Sequence, residues 1–402
     1  MKQIIILLIA ALFVSCTKKK IQPAVKSPWI EDIEFIKKEL PDKHINLFAK
    51  ITEQEFNSEI ENLIKKVPHF KENDIICGLM KIFANIGDSH TGLHTEKNII
   101  RFKMAPVKFE IFDDGVYITE IIEAGKQYLK QKVVAINNVP IDMIRDSIAT
   151  IIPHDNSYFV KSAFPAMLRL YELLEAMKIT DSRNSYHLNF ENGDDVLIRG
   201  SNNSATYYSC YQPNNKPLYL TKNDSNYWYK IVDNNIVYLQ YNRCIDMPDY
   251  SFLDFIKNLF DELENQEIEK FIIDIRLNSG GNSLIITPLI EELKLHKELT
   301  GKIYACIGCK TFSSGVKNAI QLKNELGAIL VGEPTGGKPN SYGELKEMLL
   351  PNTKLTIKYS TKYFTLLQDN NINTLEPDYF VETNSNESFL GVDPYVEFIK
   401  LR

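Results

Sequence analysis

The stretch from Lys302 to Glu344, KIYACIGCKTFSSGVKNAIQLKNELGAILVGEPTGGKPNSYGE, leaves this chain few choices of fold. Ile303 to Ile307 is a continuous apolar run of strand length, and Thr311-Phe312-Ser313-Ser314-Gly315 breaks it. Ala319, Ile320, Leu322 and Leu326 then fall on one face of a helix. A second apolar run, Ala328 to Val331, ends in Gly332, and a turn follows at Gly336-Gly337. Strand, turn, helix, strand is a βαβ unit, which belongs to a mostly parallel sheet. Ser313 sits where the first strand hands over to the helix. That is the carboxyl end of a strand, where open α/β sheets place their sites. The helix N-terminus beside it offers unpaired N–H groups and partial positive charge. Two readings fit a serine there: a helix cap, or a nucleophile beside donors for an oxyanion.

Two further stretches bear on that choice. Gly87-Asp88-Ser89-His90-Thr91 follows a helical pattern, and the strand-like run Phe271 to Ile275 ends in Arg276-Leu277-Asn278-Ser279-Gly280-Gly281. The Asp-x-Arg-x-Asn-x-Gly-Gly segment at 274–281, the Thr-Phe-Ser-Ser turn at 311–314 and Gly-Glu-Pro-Thr-Gly-Gly-Lys-Pro-Asn-x-Tyr-Gly-Glu at 332–344 occur in one order. In that order they resemble the tail-specific, or C-terminal processing, serine peptidases, a family that includes tricorn-like proteases. The resemblance covers most of the chain after its N-terminus and is strongest from about Tyr227 to Glu382. It implies an α/β fold: a ClpP/crotonase-like peptidase core, a PDZ-like β module and a helical N-terminal region.

The resemblance also implies roles. Ser313, third in a Thr-x-Ser turn, is the expected nucleophile, with Ser314 its rival. Gly280, Gly281 and the Ser314 backbone are the expected oxyanion donors, because glycine lets backbone approach a substrate closely. One branch of the family uses a serine–lysine dyad, and Lys338 falls where that lysine stands. The tricorn-like branch uses serine, histidine and glutamate with a serine beside the histidine, and Ser89, His90 and Glu344 fit those places. Gly-Asp-Ser-His-Thr is closer to the second pattern, so His90 ranks first as base, Glu344 would hold its imidazolium, and Lys338 is the alternative base. A histidine in a loop just past a helix is rigidly held and titrates near neutrality. Asp274 and Arg276 read as a structural pair beneath the site.

The rest of the chain narrows the function classes. A net charge of −6 gives no footprint for nucleic acid. The seven histidines are scattered without metal-ligand spacing, and the Gly-Gly-Lys run lacks the P-loop pattern, so no metal or cofactor is expected. Met1-Lys2 and the apolar run Ile4 to Val14 read as a secretory signal too short to span a bilayer. Leu12-Phe13-Val14-Ser15-Cys16 resembles a bacterial lipobox, which implies removal of residues 1–15, a lipid on Cys16 and a cell-envelope location as a membrane lipoprotein. The five other cysteines are odd in number and make no complete disulfide framework. Cys306 lies in an apolar strand run and reads as core, whereas Cys309 stands near the surface.

In chain order, residues 24–100 read as helices with apolar faces over Trp29–Leu40, Phe56–Ile64 and Ile76–Ile86, the last closed by Gly87. Residues 101–150 turn to alternating strands, with Asp113-Asp114-Gly115 as a hairpin turn, and resemble a degenerate PDZ module without its Gly-Leu-Gly-Phe loop. Residues 151–402 form the expected peptidase core, with a helix through Met167–Met177 and closing strands over Leu349–Phe364. The expected partners are peptide or protein substrates and a lipid anchor. The alternative is a non-catalytic peptide- or ligand-binding lipoprotein that keeps the peptidase fold.

Overall fold

The computed structural model describes residues 27–93, 102–200, 206–233 and 235–402. The signal expected over 1–15, the lipidation site Cys16 and the stretch 94–101 lie outside the described residues.

Three helices open the fold: α1 (Pro28–Lys43), α2 (Glu53–Lys66) and α3 (Glu72–Ile86). Thr52 starts α2 with a capping box: its hydroxyl accepts from the Glu55 N–H while the Glu55 carboxylate returns to the Thr52 N–H. Gly87 ends α3 in the left-handed conformation, as the sequence predicts, and β1 (Gly92–Leu93) follows the loop. Ile33, Ile36, Phe56, Ile60, Leu79 and Phe83 interlock in one core.

A seven-stranded sheet comes next, built from β2 (Val107–Phe112), β3 (Gly115–Ile122), β4 (Lys132–Ile136), β5 (Val139–Pro140), β6 (Ser185–Phe190), β7 (Asp195–Arg199) and β8 (Tyr207–Ser209). The hairpin at Asp113-Asp114 is present, with Phe112 paired to Gly115. β6 covers the edge of β4 and β8 that of β3, so the sheet runs on to Ser209 rather than stopping near residue 150. Between β5 and β6 lie α4 (Ile141–Ala149), α5 (Ser157–Met167) and α6 (Tyr171–Ala176). The single helix expected over Met167–Met177 is divided, because the chain turns at Leu168–Leu170 and Leu170 bridges to Met104.

The central sheet holds β9 (Tyr227–Val232), β10 (Ile236–Tyr241), β11 (Lys270–Asp274), β12 (Ile303–Ile307) and β13 (Ile329–Gly332). β10 to β13 run parallel in sequence order, and β9 closes one edge antiparallel. Every residue of β10, β11 and β12 is buried, the signature of a parallel sheet covered on both faces. On one face Leu239, Ile273 and Ala305 pack against α7 (Phe252–Leu263), α8 (Thr287–Leu293) and α9 (Ser314–Leu326). On the other, Tyr238, Ile272, Tyr304 and Cys306 meet Tyr395 and Ile399 of the C-terminal helix. β14 (Ser341–Leu349) and β15 (Thr356–Phe364) then join β1 in a third sheet, and β16 (Tyr379–Phe380) pairs with β13. Ile357 of β15 inserts into the core of α1–α3, so the N-terminal helices are welded to the far end of the chain.

Beneath the carboxyl ends of β11 and β12 lies a buried ionic knot. Arg276 donates from Nε to Asp274 Oδ1 at 3.0 Å and from Nη1 to Asp393 Oδ1 at 2.9 Å. Its guanidinium stacks between Tyr219 and Tyr395, 4.6 and 4.0 Å from their ring centres. Tyr238 adds a hydroxyl to Asp274 Oδ2 at 2.7 Å. The sequence reading of Asp274 and Arg276 as a structural pair agrees with this geometry. Truncating Arg276 strands two buried carboxylates, so Arg276→Leu should lower unfolding free energy by about 3–5 kcal/mol, read by urea denaturation.

Candidate active site

Ser313 occupies a turn fastened at every side. Thr311 Oγ1 donates to the Ile275 carbonyl at 2.9 Å and accepts the Gly308 N–H at 3.0 Å, tying the ends of β11 and β12 together. The Phe312 N–H donates to the Asn278 carbonyl at 3.0 Å. Gly315 follows because a Cβ there would stand 2.4 Å from the Asn278 oxygen. The result is Ser313 at φ +52° and ψ −122°, a conformation that costs a non-glycine residue roughly 1–3 kcal/mol.

That geometry separates the readings of the turn. The Ser313 side chain makes no capping hydrogen bond to α9, so its hydroxyl is not spent on the helix. The Ser314 hydroxyl is spent, donating to the Gly281 carbonyl at 2.6 Å. Of the two serines, Ser313 is the one with a hydroxyl to offer.

The expected oxyanion donors divide as well. Ser314 opens α9, and its N–H has no acceptor among the described residues. The Gly281 N–H is likewise unpaired there, while the backbone on either side of it is locked to Cys244. Gly281 adopts φ +129°, and a Cβ would fall 2.4 Å from the Cys244 oxygen, so only glycine fits. Gly280 departs from expectation: its N–H donates to Asn278 Oδ1 at 2.9 Å. It shapes the turn rather than donating to a substrate.

His90 arrives from the loop after α3. Its side chain is 5% exposed and stacks on Phe312, the neighbour of Ser313, with ring centres 4.5 Å apart and planes at 27°. Phe159 of α5 packs on Phe312 as well, at 4.9 Å. His90 Nε2 is buried without a hydrogen-bond partner. Burial pushes the imidazole below its ordinary value, against the opposing pull of Asp88 and Asp155. Asp88 holds the loop in shape: its carboxylate accepts from the His90 N–H at 2.9 Å, Ser360 Oγ at 2.7 Å, Thr91 Oγ1 at 2.5 Å and His44 Nε2 at 3.1 Å.

Glu344 is not brought to this histidine. It sits on β14 at φ +55° with its side chain 62% exposed, and its ionic partner is Lys362 at 3.8 Å. Among the described residues it makes no hydrogen bond or ion pair with His90. The strand from Ser341 was not legible in a run of glycine, proline and asparagine, and Glu344 opens an exposed run on it that extends to Glu347. Ser89 lies at the site, with Oγ 3.5 Å from His90 Nδ1. Lys338 follows Gly337, whose Cβ position is 3.1 Å from the Ser313 nitrogen. It is half-buried and has no ion pair among the described residues. Sequence reasoning passed over Asp88, Phe312 and Asp155 as working residues. The first two stood inside quoted motifs; Asp155 carries no local signal.

No protein-family model matches this chain, and no curated protein matches it. Solved structures do. Mature CPAF complexed with lactacystin superposes with a TM-score of 0.62 at 13% identity, over 93% of this chain and 97% of that one. Mature CPAF gives 0.60 at 13% identity, over 93% and 95%. The photosystem II D1 C-terminal processing protease gives 0.44 at 12% identity, over 92% and 99%. The fold of this chain is that of mature CPAF, and the α/β architecture implied by the tail-specific resemblance is the observed one.

Asp88 yields a test of the loop. Burial alone would raise its carboxyl, but His44, His90, Ser360 and Thr91 outweigh burial and hold it down to about 2. A depressed carboxyl stabilises the fold fully above its unfolded value near 3.9 and ceases to do so as pH falls through about 2. The shift corresponds to roughly 2 kcal/mol. Denaturation of Asp88→Ala should show at least that loss at neutral pH and a shallower further decline below about pH 4 than the parent protein.

Proposed function

We propose that this chain is a serine-type peptidase that hydrolyses peptide bonds through an acyl-enzyme on Ser313. The observation that carries this reading is the pairing of an uncommitted hydroxyl on a strained turn with a buried, unpartnered imidazole nitrogen stacked beside that turn. The shared fold with mature CPAF supports it.

In this mechanism His90 Nε2 takes the Ser313 hydroxyl proton as Oγ attacks the substrate carbonyl. The negative oxygen of the tetrahedral species is held by the N–H groups of Gly281 and Ser314, reinforced by the N-terminus of α9. Collapse expels the amine, which leaves with the proton from Nε2. Water then attacks the ester, gives a proton to the same nitrogen, and the acid is released with Ser313 restored. Lys338 supports the turn from its far side in this reading and is the base only if His90 proves dispensable. The lipobox-like Leu12–Cys16 segment supports export and a lipid on Cys16, which would tether the enzyme to a cell-envelope membrane.

The test is labelling of the full-length, detergent-solubilised protein by a fluorophosphonate. Labelling should vanish in Ser313→Ala and persist in Ser314→Ala. His90→Ala should slow it by about 10²–10⁴-fold, while Lys338→Ala stays close to the parent. Because the base works unprotonated and burial lowers its pKa, the acid limb of the labelling rate should lie below the ordinary histidine value of about 6.5. A folded protein that never labels would point instead to a ligand-binding lipoprotein. Incorporation of labelled palmitate that is lost in Cys16→Ala would establish the anchor.

A further inference from the structure

The acidic member expected at Glu344 leaves a vacancy in the chemistry: a histidine base needs something to fix its tautomer and orient its ring. Two carboxylates stand near His90. Asp88 Oδ1 is 3.9 Å from Nδ1, beyond hydrogen-bond reach. Its oxygens already accept from His44, Thr91, Ser360 and the His90 backbone. The second is Asp155, from the loop before α5. Ser89 Oγ donates to Asp155 Oδ2 at 2.6 Å, a short charge-assisted bond. The Ser89 hydroxyl has one proton, and that proton is committed to Asp155. Toward His90 Nδ1, 3.5 Å away, Ser89 can present only a lone pair. Nδ1 must then carry the proton and Nε2 the free pair, which is the tautomer a base needs.

We propose that Asp155, acting through the Ser89 hydroxyl, is the positioning carboxylate of His90, and that Glu344 has no part in the site. This rests on the peptidase reading for its purpose, though not for its geometry. The loop that bears Asp155 is built for the task. Asn156 Nδ2 donates to the carbonyls of Thr335 at 3.2 Å, Gly336 at 3.2 Å and Asn373 at 2.8 Å. Residue 155 is thereby fastened to the segment that backs the Ser313 turn. Asp155 is 8% exposed, and its other oxygen takes an ion pair from Lys50 Nζ at 3.1 Å. One loop thus registers the base against the nucleophile: Asp155 faces Ser89 and His90, and Asn156 faces Gly336, next to Gly337 and Ser313. The charges that face His90 are Asp88 in its own loop, Asp155 from the loop before α5, and Lys358 on β15, which opposes the two carboxylates.

The experiment follows the imidazole ¹⁵N and ¹H signals of His90 in the full-length protein across pH, alongside the fluorophosphonate labelling rate. In Asp155→Asn the His90 pKa should fall and its Nδ1–H fraction should drop, because an anion that favours imidazolium is gone. Labelling should slow by about 100-fold. Ser89→Ala should reproduce both effects, and Asp155→Glu should restore part of each. Lys50→Ala should do the opposite to the titration, raising the His90 pKa, since it unmasks the Asp155 charge. Lys50 is 45% exposed, so this variant tests the link even if Asp155→Asn folds poorly. A shifted titration in a protein that labels with no probe would retain the positioning and refute the peptidase reading. Unchanged titration and unchanged labelling in Ser89→Ala and Lys50→Ala would overturn the proposal and leave the peptidase reading standing. Loss of labelling in Glu344→Gln with His90 unshifted would return the role to Glu344.

Discussion

A serine held at positive φ is the constraint that organises the core. Left alone, such a residue relaxes into an ordinary helix N-terminus and uses its hydroxyl as a cap. Here relaxation is blocked by contacts to two other segments, residues 275–278 and Gly337. Thr311 Oγ1 is bonded to Ile275 just past β11, Phe312 to Asn278, Gly315 lies against Asn278, and the Gly337 N–H donates to the Thr311 carbonyl at 3.1 Å. Each contact is worth little alone, of order 1 kcal/mol. Together they exceed the roughly 1–3 kcal/mol of backbone strain, and the strain leaves the hydroxyl unclaimed. The Thr311 bonds bring the carboxyl ends of β11 and β12 together, so the turn depends on the parallel sheet.

The histidine loop obeys a different logic. It lies in a part of the chain far from Ser313 in sequence, and nothing covalent registers the two. Registration comes from buried polar groups. Asp88 gathers β15 through Ser360 and α1's end through His44, while Phe312 offers an aromatic face to His90. A stacked ring contact is weakly directional, so it sets the height of the imidazole over the turn and leaves its rotation to hydrogen bonds at Nδ1. Burial then favours the neutral ring, against the pull of Asp88 and Asp155.

What the sequence disclosed follows from how local each signal is. β12, the turn and α9 lie within one contiguous stretch, and their apolar periods are unambiguous; Ser313 could be read from them. Gly87 announces the end of α3, so His90 could be placed in a loop. Gly280 and Gly281 were indistinguishable as donors, because which N–H Asn278 Oδ1 captures is decided by a side-chain turn two residues away. Glu344 failed for a related reason. A motif match places a residue in a sequence, but the backbone at φ +55° on β14 decides which way it faces. Asp155 gave no signal at all: it sits in an irregular loop, 66 residues from the serine it binds. Residues 147–220 were the least legible part because β6, β7 and β8 complete a sheet begun a long way upstream, and pairing of that kind leaves little trace in local periodicity.

The position of Phe312 carries the argument one step further. It stands between His90 and Phe159, so the histidine loop and α5 both pack on the residue whose backbone leads directly into Ser313. α5 also packs on β2 of the seven-stranded sheet. The turn at Ser313 is thus joined to that sheet through α5, both by this aromatic stack and by the hydrogen bonds of Asn156 to Thr335, Gly336 and Asn373. An imidazole nitrogen without a hydrogen-bond partner and a serine hydroxyl without a cap are the two uncommitted groups this arrangement keeps in place.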